Sequence, residues 1–311
     1  MPDSEYKYLL DRDKNIKDYQ KIYSDIDKLL INLVNYGTQL IPRCFKCSKR
    51  EITDILLITV FLRQIVAMLD STQILLSNAA TYASNLPLRA IFQASVYIDF
   101  IIKSDEIKKS KYYYVSHLRN IRIWAQRVAK QSPDQNEFEK MMGKFNSKLI
   151  NDVKFMEEGK LQLKKIDAIL NGPNYRHINQ IFDNFKSKYE PMWYQPLCFS
   201  SFRQIAEDVD RVEQYKLLYS KTSEIIHVAN YSDHLSIKDS KILFKRIRHL
   251  EGVKNILYIL INMVLVSYQK IIERYRPSEL ANFRNKYKEE WREPFLNAKT
   301  VKYNIEYGDP I

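Results

Sequence analysis

Apolar side chains recur every three or four residues along almost the whole chain, which is the spacing of helices burying one face. Residues 14–38 form such a stripe through Ile16, Tyr19, Ile22, Tyr23, Ile26, Leu29, Leu30 and Leu33. Gly37 is expected to end that helix and Pro42 to lie in the connection. The next helix, about Glu51 to Ala79, is apolar over most of its surface but interrupted by Arg63 and Asp70. Asn85-Leu86-Pro87 opens a third, with Asn as the cap and Pro in the first turn. That helix is apolar all round through Leu88, Ile91, Ala94, Val96, Ile98, Phe100 and Ile101, so it belongs in the interior. Arg89 and Gln93 stand on it four residues apart and share a face.

From about 106 to 198 the pattern turns polar. A basic, aromatic helix precedes the break at Ser132-Pro133-Asp134, and a long charged helix runs over about 135–170. Gly172-Pro173 ends it, a short helix reaches about Lys188, and Pro191 to Pro196 is a loop carrying Trp193. Over Phe199 to His234, Ile205, Val209, Val212, Tyr215, Tyr219, Thr222, Ile226 and Ala229 repeat at helical spacing, and Asn230-Tyr231-Ser232-Asp233 reads as a turn. A long helix is expected from about Asp239 to Arg276, stopped by Pro277, with a charged one to about Glu293.

The predicted fold class is therefore all-α, a multi-helix bundle with long central helices and no sheet. Its expected organisation is one helical domain over 1–311. Within it, 1–50 is an N-terminal helix and connection, and 52–275 a core bundle with a polar helical excursion at about 106–198. Residues 276–311 are a C-terminal helix and tail. No transmembrane segment is expected. Arg63 and Asp70 would be costly in hydrocarbon, and the apolar run Ile256 to Val266 is shorter than the ~20 residues a span needs.

Six Gly and ten Pro in 311 residues agree with helices throughout. Forty-nine Lys and Arg against 37 Asp and Glu give a formal charge of +12, which favours polyanions. The first ten residues lack the basic and apolar regions of a secretory signal, and three Cys make no disulfide framework, so the expected location is cytoplasmic. Cys44 and Cys47 form one CxxC with no second pair, and no metal or cofactor is expected.

Three residues carry candidate chemistry on the 199–234 stretch. At roughly 100° per residue, Ser223 falls about 40° and His227 about 80° from Tyr219, placing the hydroxyl in the buried face and the imidazole on its border. Arg89, in an apolar helix, needs either an acid from another helix, with Asp70 and Glu224 the nearest by helix placement, or a bound anion. A catalytic set would use His227 as general acid/base, Arg89 to stabilise charge on a phosphate, and Tyr219 or Ser223 as hydroxyl donors. Arg119, Arg122, Trp124 and Lys130 are the candidate nucleic-acid contacts.

Leu88-Arg89-Ala90-Ile91-Phe92-Gln93, then Trp193, Ser201-Phe202-Arg203, and Tyr219, Ser223 and His227 together resemble a large bacterial family of all-helical domains of unknown function, over about 52–270. Gln93 stands where that family carries an acid. The family is loosely similar to HEPN-type helical domains of toxin and antiphage systems, many of them RNases. Those place Arg a few residues before His on one helix, so here a site would be assembled from two. The resemblance implies either a helical effector or binding module of a defence or toxin-type system, holding an Arg/Tyr/Ser/His network, or a metal-independent ribonuclease or phosphodiesterase. The expected partners are RNA or another polyanion, and a partner protein or a second copy of the chain.

Overall fold

The computed structural model describes residues 10–150, 152–227, 230–238, 241–302 and 306–307. Eleven helices dominate it, so the chain is an all-α protein. It divides into two compact units, residues 1–102 with 205–311, and the stretch 103–204. The polar region at 106–198 falls inside the second.

The first unit begins with α1 (Arg12–Cys47) and a helix over Ile52–Ser77, α2, whose middle turns Ile55–Leu62 are π-helical. α3 is Asn85–Lys103. After α8 (Phe202–Asp208) comes α9, residues 212–226, again with a π-helical centre at Tyr215–Ser220. α10 (Val253–Tyr275) and α11, residues 280–296, complete the bundle. Its core holds Leu30, Leu33, Leu57, Leu69, Ile91, Leu260 and Tyr268, none of them exposed to water.

Several expectations are corrected. Gly37 does not end α1, which continues through Pro42 to Cys47. A Cβ at Gly37 would lie 2.0 Å from the Tyr268 hydroxyl and 2.6 Å from Val66. The glycine is there because α10 comes too close for any side chain, and Tyr268 donates to the Leu33 carbonyl at 3.0 Å. Asn85 does not cap α3 as an acceptor; its amide nitrogen donates back to the Thr81 and Tyr82 carbonyls. The helix expected from Asp239 starts only at Val253. In its place Leu235–Lys238 (β1) and Lys241–Lys245 (β2) pair antiparallel, with Glu306–Tyr307 (β3) on the far side of β2. Residues 239 and 240, between the strands, lie outside the described residues, as does Ala229. Leu235-Ser236-Ile237 alternates with period two, and Ile237 faces Ile242 across the ladder. The segment after the hairpin is tied down where the His249 amide donates to the Ala79 carbonyl at 3.1 Å.

The stretch around Tyr219 is likewise not one helix. Asp210 takes a left-handed conformation, φ 57°, and the Arg211 amide donates back to the Ala206 carbonyl at 2.7 Å. α8 therefore stops, and α9 starts with Arg211 at its N-cap. The length argument against a span in α10 also fails, since that helix has 23 residues. α2 and α10 are both long and apolar enough to cross a membrane by length and composition, and just over half of each apolar window is buried in the fold.

In the second unit, α4 (Glu106–Val128), α5 (Gln135–Ile150) and α6 (Val153–Leu170) are followed by α7 (Arg176–Asp183). α6 crosses close to the end of α4, where a Cβ on Gly159 would meet Val128 at 2.6 Å. Trp193 is buried against Tyr113 in an edge-on contact, centroids 5.4 Å apart.

Candidate functional site

α3 carries two polar stripes into the first unit. The first is Arg89, Gln93 and Tyr97, at successive four-residue steps. The Arg89 guanidinium lies 3.9 Å above the centroid of Tyr219, and Gln93 donates to the Tyr97 hydroxyl at 3.1 Å. Tyr219 in turn stacks on Tyr215, centroids 5.0 Å apart. The helix bearing Arg89 thus packs on the helix bearing Tyr219. Neither suggested acid reaches Arg89: Asp70 and Glu224 are exposed, and among the described residues no carboxylate pairs with it. An aromatic face replaces the counter-ion. Nη1 of Arg89 is buried and makes no hydrogen bond.

Ser223 is half-buried one turn beyond Tyr219. His227 follows the last turn of α9, exposed, with its amide donating to the Ser223 carbonyl at 3.0 Å. The buried positions of α9 are Leu218 and Thr222. The helix ends at Ile226, so His227 caps it in water rather than bordering a buried face.

The second stripe was not singled out from the sequence. Asp99, the one acid between Asn85 and Ile102, is only 9 % exposed, and its two oxygens take different cations. Oδ2 meets Arg211 Nη1 at 3.1 Å and Oδ1 meets Lys270 Nζ at 2.5 Å. Arg211 is 12 % exposed, Lys270 38 %. Burial pushes the Arg211 guanidinium below its usual pKa, and the Asp99 carboxylate opposes that shift. Nη1 of Arg211 also donates to Ser95 Oγ at 2.8 Å, Nε donates to Gln214 Oε1 at 2.7 Å, and the guanidinium lies 5.2 Å from the Phe92 centroid. The break at Asp210 makes this possible by holding Arg211 at a helix start rather than within a helix.

Asp99, Arg211 and Lys270 all line a half-open cavity of about 520 Å³. Leu217 and Leu218 of α9 and Tyr258, Met263 and Val266 of α10 supply its apolar lining. Asn262 on α10 adds one polar group to this lining; its amide nitrogen donates to the Tyr258 carbonyl at 2.7 Å.

The candidate nucleic-acid contacts lie in the second unit. Arg119 is bound by Glu190 on both sides of its fork, by Asp183 at 2.6 Å and by the Asn179 side chain at 2.7 Å. Arg122 pairs with Asp167 at 2.6 Å and Lys130 with Glu139 at 3.5 Å. Trp124 is 55 % exposed but packs edge-on against Phe138. These residues are brought to one region, and their charges are answered there by carboxylates.

Among the described residues no group of three or more His, Cys, Asp or Glu is placed to hold a metal ion. Cys44 is buried, which pushes its thiol up to about 12, and Cys47 accepts from Arg276 Nη1 at 2.8 Å.

Comparison with curated proteins and with solved structures finds no significant match. A family model does match: residues 54–242, more than half of the chain, fit the family of unknown function DUF5677, and the chain belongs to that family.

Proposed function

We propose that this chain is a helical ligand-binding module whose working centre is the Asp99–Arg211–Lys270 cluster and the cavity beside it. The observation that carries this reading is the pairing of a mostly buried ionic group with a half-open, largely apolar cavity of about 520 Å³, within the size range of small-molecule sites. A helical ligand-binding module suits the effector role in a bacterial defence or toxin-type system that the resemblance to HEPN-type domains implies. The Arg89–Tyr219 contact serves as the clamp that holds α9 on α3.

A second reading, a metal-independent ribonuclease or phosphodiesterase, draws on the unused Nη1 of Arg89 beside Tyr219. His227 would then have to act from the exposed end of α9. Incubation of the purified protein with mixed RNA and tRNA in EDTA, beside His227→Ala, separates the two. The binding reading expects no His227-dependent cleavage, and such cleavage would replace it with the enzyme.

A further inference from the structure

Resting on that reading, we propose that the cavity takes a small amphiphile with one negative charge. Its carboxylate head lies at Arg211 and Lys270, and its apolar body lies between Leu217, Tyr258 and Val266. Two cations share a single carboxylate in this cluster, so it carries a surplus of one positive charge. Both Asp99 oxygens are already occupied. Among the described residues Arg211 Nη2 makes no hydrogen bond, and Lys270 Nζ makes only the one to Asp99. Donors therefore remain for one more acceptor, on the residues that carry the charge in the cavity lining.

The rest of the lining selects the body of the ligand. Leu217, Tyr258 and Val266 are all exposed apolar side chains, yet all three border the same cavity. Single exposed apolar residues are ordinary, but a convergent group of them around a cavity is a surface waiting to be covered. Covering it with a hydrocarbon chain removes it from water, while a carboxylate meets the surplus charge with charge-assisted hydrogen bonds. A cationic head would be repelled there, and a neutral one would leave the ionic donors without a charged acceptor. A long polyanion needs a track of open cations, whereas Arg119, Arg122 and Lys130 are each engaged by acids.

Isothermal titration with decanoate and decyltrimethylammonium below their micellar concentrations, and with 1-decanol below its solubility limit, tests this. Decanoate should bind one to one, and decanol about tenfold more weakly, as expected when charged hydrogen bonds are lost. Lys270→Met should weaken decanoate about tenfold and leave decanol unchanged. Val266→Trp, which fills the cavity mouth from a half-exposed position, should weaken both. Equal affinity for decanoate and decanol on the wild-type protein, or a Lys270→Met variant that binds decanoate normally, overturns the anionic head. If Val266→Trp still blocks binding in that case, the cavity remains a ligand site of another class. Absence of binding by all three probes overturns this proposal, and the binding-module reading falls only if a chemically mixed panel of other small molecules also leaves the melting temperature of the protein unchanged.

Discussion

Asp99 and Arg119 are both ionic hubs, each surrounded by two partners of opposite sign, but the stoichiometry is inverted. Arg119 is one cation between two carboxylates, with further bonds to Asn179 closing its fork. Asp99 is one carboxylate between two cations, both of which keep donors in hand. The first arrangement is saturated and holds the segments of the second unit together. The second is left with positive charge beside a cavity. Burial is similar for the two hubs, at 12 % and 9 % side-chain exposure, so the surplus sign and the neighbouring space distinguish a brace from a binding centre.

The sharpest way to break this comparison is to remove the acidic hub. Asp99→Leu leaves Arg211 desolvated and facing Lys270, which should cost about 3–5 kcal/mol in urea denaturation, the usual toll of an orphaned buried charge. A loss under 1 kcal/mol would mean that water reaches the cluster freely. Arg119→Met should cost less, about 1.5–3 kcal/mol, because Asp183 is half-exposed and can be hydrated. If the two losses come out equal, the difference in function between the hubs has no counterpart in stability.

Arg89 belongs to neither type, since its partner is a ring. A double-mutant cycle with Arg89→Met and Tyr219→Leu should return a coupling of about 0.5–2 kcal/mol. Zero coupling would show that α9 is held on α3 by other contacts.

The smallest effect concerns an exposed brace. Asp134 is held down to about 2, first by its hydrogen bond with Arg127 and then by Ser132. A carboxyl whose folded pKa is depressed contributes stability above its unfolded pKa, near 4, and loses it as pH falls through the folded value. The gap in melting temperature between wild type and Asp134→Asn should thus be constant above pH 5, shrink from about pH 4 and close about one unit below pH 2. A gap at pH 1 as large as that at pH 5 would assign it to something other than the Arg127 pair.

Helix periodicity made most of the bundle legible, because α1, α2 and α3 each repeat apolar residues over several turns. It failed where the signal was short. Leu235 to Lys245 alternates for only four or five residues per strand, and its Lys, Leu and Ile suit a helix equally well. Gly37 was misread because a glycine demanded by a neighbour 231 residues away looks, locally, like a terminator. The contact of Arg89 with the Tyr219 helix was legible in kind, since two buried faces with polar groups had to meet. Its chemistry was not, as an aromatic face does not announce itself as a counter-ion. The Asp99 cluster joins residues 112 and 171 positions apart, and no local spacing encodes that. Its one visible sign was the solitary acid in an apolar helix.

The contact between Tyr268 and the backbone at Leu33 also sets a clock. A chain made from its N-terminus carries α1 out of the ribosome long before α10 exists, so the seat against Gly37 stays empty while 231 further residues are added. The stretch 103–204 is contiguous and can close its own contacts in that interval. The seat at Gly37 is among the first parts of the fold to be made and one of the last to be filled.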